Sequence, residues 1–339
     1  MLLRIPNIGN GYGGAFHIQA TCGKIAKGMR KRKSILIVGG NGFVGTHLCL
    51  GLRDRYKVFC TYHKTHIHMP GVTSLPMDIL NRDRVKRIAY TVEPDVVIYA
   101  AGKNDVIWAE QNERTAENLH SGGPSSVATV VDIFKPRYIL LSNCYVYDGN
   151  YGNYSETDTP LPSTMLGRAK LNGENYIRSR SWNHVVIRSS PVFGHGNGIH
   201  LSDLDHYRMR LSRKERIEVS TQTLLNFAPV SQLVQLVQRL IDGGPRNKVL
   251  NFGGLTKLTQ FDFVKAYAKR FGFDENLIYP LRSQQAVIKK FGSESDSGRE
   301  STYDYSLNCS GASKIMNIKP LLLEEGFDLL EKELVPTLG

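Results

Sequence analysis

The sequence predicts an α/β protein: a doubly wound parallel (Rossmann) sheet with a smaller C-terminal α/β lobe. Three observations carry that expectation. An apolar run interrupted by glycines, SILIVGGNGFVG, spans 34–45; further strand-like runs alternate with helical segments as far as residue 194; beyond 194 the alternation breaks down. Strand–helix alternation implies parallel strands joined by crossover helices.

SILIVGG (34–40) is a continuous apolar run of buried-strand type, and GTHLCLGLRDR (45–55) has helical spacing through Leu48 and Leu52. KVFCTYH (57–63) reads as the second strand and VTSLPMDIL (72–80) as a run into a short third one, followed by a charged helix near Arg82–Tyr90. PDVVIYAAG (94–102) is the fourth strand, SSVATVVDIF (125–134) a helix and RYILLSN (137–143) the fifth strand. STMLGRAKLNGENYIRSR (163–180) is helical, and HVVIRSSPVFG (184–194) is the sixth strand. Residues 34–194 therefore form the expected Rossmann domain.

In the second half, 201–216, 232–242 and 259–272 read as helices, KVLNFGG (248–254) as a strand, and EEGFDLLEKEL (324–334) as the closing helix. Residues 195–339 are thus a lobe interleaved with the core and placed to grip a substrate. GSESDSGREST (292–302) is expected to be a mobile surface loop.

At 339 residues and 41% hydrophobic, the chain is long enough for a full core. No stretch approaches the roughly 18 uninterrupted apolar residues of a membrane span. Cys22, Cys49, Cys60, Cys144 and Cys309 are scattered without metal-like spacing, which suits free thiols in a reducing compartment such as the cytoplasm and predicts no metal site. The net charge of +12 invites a nucleic-acid reading, but seven of those charges lie in residues 1–33, which contain no acid. The mild excess left over suits an anionic cofactor and substrate. No basic stripe interleaved with exposed aromatics is present, so a nucleic-acid partner is not expected. The basic leader, 1–33, has three readings: a mitochondrial-type transit segment, a disordered basic arm, or an over-read start, since Met29 precedes RKRKS and the first strand.

Gly39, Gly42 and Gly45 fall at the spacing G-x-x-G-x-x-G. Backbone N–H groups must approach a pyrophosphate closely, and a Cβ would block them. The third glycine lets the following helix pack on the strand, and the helix N-terminus adds a favourable dipole. Following an apolar strand and opening a helix, the turn predicts that Gly39, Gly42, Phe43, Val44 and Gly45 hold NAD(P)(H). At the end of the second strand, where an acid would accept the ribose hydroxyls of NAD, stand Tyr62, His63 and Lys64. A cation there suits a 2′-phosphate, so NADP(H) is favoured and NAD(H) stays open; a solvated loop lysine is the plainer reading of Lys64. Asp78 is placed to accept from the adenine amino group, while Ala100, Ala101 and Gly102 leave room for the body of the cofactor.

From about residue 34 to the C-terminus the chain resembles the extended short-chain dehydrogenase/reductases, and among them the dTDP-4-dehydrorhamnose reductase branch. The resemblance rests on GGNGFVG, MDIL (77–80), PDVVIYAAG, LSNCYVYDG (141–149), LGRAKLNGE (166–174), IRSSPVFG (187–194), NFAPVSQLV (226–234) and LTQFDFVKAYAKRFG (258–272), in that order. It implies hydride transfer to the keto carbon of a nucleotide sugar, with a Tyr supplying the proton. A Lys four residues later lowers that Tyr's pKa and holds the nicotinamide ribose, and a Ser or Thr after the fifth strand orients the carbonyl.

Lys170 matches the family lysine, but Leu166 stands at the Tyr position and Asn143 at the Thr position. Leucine has no proton to give, and a positioned acid is worth about 10² to 10⁴ in rate. The catalytic candidates are therefore Lys170, Asn143 and a substitute phenol, Tyr145 foremost among Tyr145, Tyr147, Tyr151 and Tyr154; water or a substrate group acting with Lys170 is the other repair. Ordinary packing is the plainer role for these tyrosines. His120 falls near the family's Asn position and reads as a helix-edge residue; His195 and His200 flank a Gly-rich loop on the substrate side, and Arg188 reads as structural.

Two functions follow. One is an NADP(H)-dependent reductase, or related epimerase, acting on a 4-keto nucleotide sugar through a non-standard proton donor. The other is a catalytically silent subunit that keeps the cofactor pocket within a larger complex, consistent with a protein partner or homodimer. An RNA-associated protein of this fold is a third reading, which would bind through 1–33 with steep salt dependence.

Overall fold

The computed structural model describes residues 32–181, 183–281 and 303–333. The stretch 292–302 and the leader up to residue 31 lie outside the described residues.

Seven parallel strands form the central sheet. In chain order they begin with β1 (Ser34–Val38), β2 (Lys57–Tyr62), β3 (Val72–Pro76), β4 (Val96–Tyr99), β5 (Arg137–Asn143) and β6 (His184–Ser189). The lobe then contributes β7 (Val192–Phe193), β8 (Ile217–Ser220), β9 (Thr223–Leu225) and β10 (Ala228–Pro229). The seventh sheet strand is β11 (Lys248–Phe252), and the order across the sheet is β11-β6-β5-β4-β1-β2-β3. The order reverses beside β1, which pairs with β2 on one side and β4 on the other. In doubly wound sheets a ligand crevice opens at that switch point, outside the carboxyl ends of the strands.

The side-chain alternation of β1 separates the two layers. Ile35 and Ile37 face a core with Leu48, Cys49 and Leu52 of α1 (Phe43–Leu52), and with Leu233, Leu236, Val237 and Leu240 of α8 (Val230–Gly243). Leu36 and Val38 face the other, with α2 (Arg82–Val92), α5 (Gly123–Val131) and Ile177 of α6 (Met165–Arg180). Between β4 and α5 run two short helices, α3 (Val106–Gln111) and α4 (Glu113–Glu117), and then a π-helical turn, Asn118–Gly122. No periodicity in 103–122 announced these elements, because each is too short to show a full apolar face.

Two expectations shift. The run 184–194 is not one strand: it ends at Ser189, and β7 pairs instead with β10. Pro191 falls between the two, and proline cannot donate to a sheet ladder. The strand expected in the lobe at 248–254 belongs to the Rossmann sheet, where β11 runs along β6 from Lys248↔Val185 to Phe252↔Ser189. The interleaving is therefore deep: α8 and β11 complete the core before the chain returns to the lobe.

The lobe has its own core of aromatic and aliphatic side chains, including Phe193, Phe227, Phe263 and Phe327, fed by α7 (Asp203–Ser212) and α9 (Gln260–Arg270). Small ladders join β12 (Leu258–Thr259) to β9, β13 (Ile278–Leu281) to β8, and β14 (Tyr303–Asp304) to β9. Two further helices, α10 (Ser310–Met316) and α11 (Leu323–Lys332), end the described chain. Arg188 and Glu174 tie β6 to α6 through a buried ion pair (Nη2–Oε2 2.7 Å), which makes Arg188 structural as the sequence suggested. Among the described residues no helix is long and apolar enough to cross a membrane, and no group of side chains has the arrangement of a metal site.

Candidate functional site

The glycine turn lies at the switch point, as its position after β1 requires. Gly39 adopts φ +84°, and a Cβ on it would come within 2.6 Å of the Ala101 backbone, so only glycine fits. A Cβ on Gly45 would lie 2.2 Å from the Gly39 carbonyl oxygen; its absence lets α1 pack directly on the turn. Around Gly42 the space is open, with only the Gly39 carbonyl near at 3.6 Å. Gly42 caps α1 without any side-chain hydrogen bond, so the first-turn N–H groups, including those of Phe43, Val44 and Gly45, are left for a ligand. Unused helix N–H groups beside an open, Cβ-free approach are what a pyrophosphate needs, and the residues present fit a dinucleotide.

Hydrogen bonds brace the turn from two sides. On the β2 side, Gly39 N donates to Thr61 Oγ1 (3.2 Å) and Asn41 Nδ2 to the Thr65 carbonyl (2.8 Å). From the lobe, Asn197 Nδ2 donates to the Asn41 carbonyl (2.9 Å) and to Thr46 Oγ1 (2.8 Å). Sequence reasoning did not find Asn197; its only signal was its place in the G-x-G-N-G loop after β7.

The other expected cofactor residues follow the carboxyl ends of β2, β3 and β4. His63 and Lys64 lie exposed just after β2. Asp78 follows β3, its Oδ1 accepting from Leu80 N (2.9 Å). Ala100 and Ala101 are half-buried after β4, and Gly102, at φ +123°, lies against His120: a Cβ there would be 2.3 Å from the ring.

Deeper in, Lys170 is buried and its Nζ donates to the Leu141 carbonyl (2.9 Å). Burial brings its pKa down to about 8, against the opposing pull of Glu174. Asn143 is also buried; its Oδ1 accepts from Tyr145 N (3.1 Å) and its Nδ2 donates to Asn104 Oδ1 (2.8 Å), leaving one amide proton for a carbonyl. Leu166 is fully buried in an apolar cluster with Ala109 and Ala116, against which Val106, Trp108, Tyr145 and Met165 pack. The surroundings of Leu166 are thus largely hydrocarbon.

Of the four tyrosines, Tyr147 donates to the Ser155 carbonyl (2.8 Å) and accepts from Arg188, Tyr154 donates to Asp148, and Tyr151 is exposed. These are packing or surface roles. Tyr145 differs: among the described residues no hydrogen bond fixes its phenol, which is held protonated by burial and by Cys144, Tyr305, Asp203 and Asp105 around it. The structure brings His120 into the site rather than to a helix edge. It is buried in the π-helical turn, and burial and the Lys170 charge lower its pKa to about 3. His195 lies 3.5 Å from Asp205, with its carbonyl against His47 Nε2 at 2.8 Å.

The parallel sheet, the glycine cradle at its switch point and the buried lysine beside β5 define an NAD(P)-binding Rossmann protein of the extended short-chain dehydrogenase/reductase class. Residues 32–291 match the family model described as "RmlD substrate binding domain", and the chain belongs to that family. It is 27% identical over 261 residues to a dTDP-4-dehydrorhamnose reductase of Mycobacterium tuberculosis, covering 75% of this chain and 81% of the relative. It is 19% identical over 273 residues to methionine adenosyltransferase 2 subunit beta of Rattus norvegicus, covering 75% and 77%. A crystal structure of dTDP-4-dehydrorhamnose reductase from Bacillus anthracis with NADP superposes with a TM-score of 0.72 at 19% identity, covering 89% of this chain and all of that one; the likeness is one of fold. The protein is thus a dTDP-4-dehydrorhamnose reductase-like oxidoreductase in architecture.

Proposed function

We propose that this protein is an NADPH-dependent reductase of a 4-keto nucleotide sugar that works with a non-standard proton donor. The carrying observation is Lys170: a lysine held on the Leu141 carbonyl and kept buried, where its proton is unusually easily lost. The cofactor, when bound, supplies the hydride. Gly39, Gly42, Phe43, Val44 and Gly45 hold its pyrophosphate, His63 and Lys64 favour a 2′-phosphate over a bare ribose, and Asp78 reads the adenine. Ala100, Ala101 and Gly102 admit its body, and Lys170 faces its nicotinamide half. Asn143 uses its remaining amide proton to orient the substrate carbonyl, and the Tyr145 phenol faces the sugar.

The test is loss of NADPH absorbance on addition of dTDP-4-keto-6-deoxy sugars, with NADH in parallel. Turnover faster with NADPH supports the reading. Tight NADPH binding without oxidation overturns it in favour of the second reading, a silent cofactor-binding subunit, which the hydrocarbon packing around Leu166 supports. Similarity to the methionine adenosyltransferase subunit points the same way.

A further inference from the structure

The loop after β4 is anchored on both sides of Asn104. On one side, the Lys103 carbonyl oxygen lies 3.1 Å from His120 Nε2; a carbonyl can only accept, so the imidazole donates. On the other side, Asp105 caps α3, its Oδ1 accepting from Trp108 N (2.9 Å) and its Oδ2 pairing with Lys103 Nζ (3.4 Å). Asn104 stands exposed between these two anchors.

Its Oδ1 accepts from Asn143 Nδ2 at 2.8 Å. The sense of that bond is fixed at the far end of Asn143. This side chain opens the tight turn Cys144–Val146, and its Oδ1 accepts from Tyr145 N (3.1 Å). A backbone N–H can only donate, so the carboxamide oxygen faces Tyr145 and the NH2 faces Asn104. Asn143 is 1% exposed, where an amide proton without a partner is costly. Both ends of its carboxamide are therefore pinned, and the second Nδ2 proton is held in one direction.

We propose that Asn104 is a positioning residue for carbonyl reduction: by accepting from Asn143 it fixes the plane of that carboxamide, so that the remaining amide proton meets the substrate carbonyl oxygen. The proposal rests on the reductase reading above. The hydroxyl that the resemblance implies at position 143 would rotate to suit its partner, whereas a carboxamide has a plane, and a plane needs a second support. Negative charge gathers on the carbonyl oxygen as hydride arrives at the carbon. A donor fixed beforehand stabilises that charge without reorganising. The gain is larger in the transition state than in the bound ketone, so loss of the support falls on kcat more than on KM.

The experiment uses the full chain and has two arms. In the first, NMR observes the side-chain amide of Asn143 with neither cofactor nor substrate. The expected result is one Nδ2 proton displaced downfield by its bond to Asn104. Asn104→Ala should move that signal upfield, and Asn104→Asp, which keeps an acceptor oxygen, should retain it. A signal indifferent to Asn104→Ala overturns the proposal. The second arm is NADPH-dependent reduction of a dTDP-4-keto-6-deoxy sugar. Asn104→Ala should lower kcat about 10- to 100-fold, with KM changed less than about threefold and the melting temperature kept. In an Asn143→Ala background the same substitution should cost nothing more, because Asn104 acts through Asn143. Losses that multiply, or a loss confined to KM, overturn the proposal. Absence of turnover in the parent overturns the reductase reading and the positioning with it; a displaced amide signal would then mark the Asn104–Asn143 bond as structural.

Discussion

Asn197, in the lobe, donates to the carbonyl of Asn41 in the glycine turn at 2.9 Å, and with its second proton to Thr46 Oγ1. A single buried side chain thus ties the loop after β7 to the cradle that receives the cofactor. Its own Oδ1 accepts from Ile199 N and His200 N, so it also shapes the loop it belongs to.

Asn197→Ala leaves those groups unpaired, at a cost of about 1–3 kcal/mol. We expect a lower melting temperature and NADPH binding weakened about tenfold, the equivalent of about 1.4 kcal/mol, read by calorimetric titration. Unchanged affinity would show that the turn holds its shape without the lobe.

Gly39→Ala asks more of the structure. The new methyl would meet the Ala101 backbone at 2.6 Å on a residue held at φ +84°. Strain of about 2 kcal/mol or more should appear in urea unfolding, together with loss of NADPH binding. Gly42→Ala, where the space is open, should keep the stability and lose mainly affinity.

Leu166→Tyr places a phenol, as the resemblance implies for this position, at a fully buried site among Ala109, Ala116 and Trp108. Overpacking there should cost about 1–3 kcal/mol. The expected result is a lower melting temperature with NADPH affinity kept; a variant as stable as the parent would show that the cluster has room to spare.

Lys170 makes stability depend on pH with a definite sign. Folded, it loses its proton at about 8, and unfolded at about 10.4. Between those values the unfolded chain holds more protons, so stability climbs as pH rises through that window, and the cost of the buried charge is fully present below pH 8. Lys170→Met should therefore unfold at higher urea than the parent near neutrality, the gap closing toward about pH 10, while reduction is lost. A parent curve flat across the window would contradict the lowered pKa.

The cofactor half of the site was legible because its physics is local. A buried strand, three glycines and a helix start are adjacent in sequence, and the conformations of Gly39 and Gly45 follow from contacts within the turn and with the neighbouring strand. Leu166 and Asn143 stood out in the sequence as departures from the pattern that the resemblance implies. What surrounds them was not. His120 read as a helix-edge residue because nothing in its neighbours announces a π-helical turn or the approach of Gly102 and Gly173 from distant segments. The 248–252 strand was placed in the lobe because chain order does not reveal that it would pair with β6.

By itself the sequence determined the fold class and the glycine turn after the first strand, since apolar periodicity and glycine backbone freedom are properties of short segments. Only the tertiary structure decided that Lys170 is desolvated on the Leu141 carbonyl, that Asn197 braces the turn, that Leu166 is sealed in hydrocarbon, and that the His120 ring lies against Gly102. Burial and hydrogen-bond partners at those positions come from residues tens to more than a hundred positions away, and protonation is set by that environment rather than by the side chain alone.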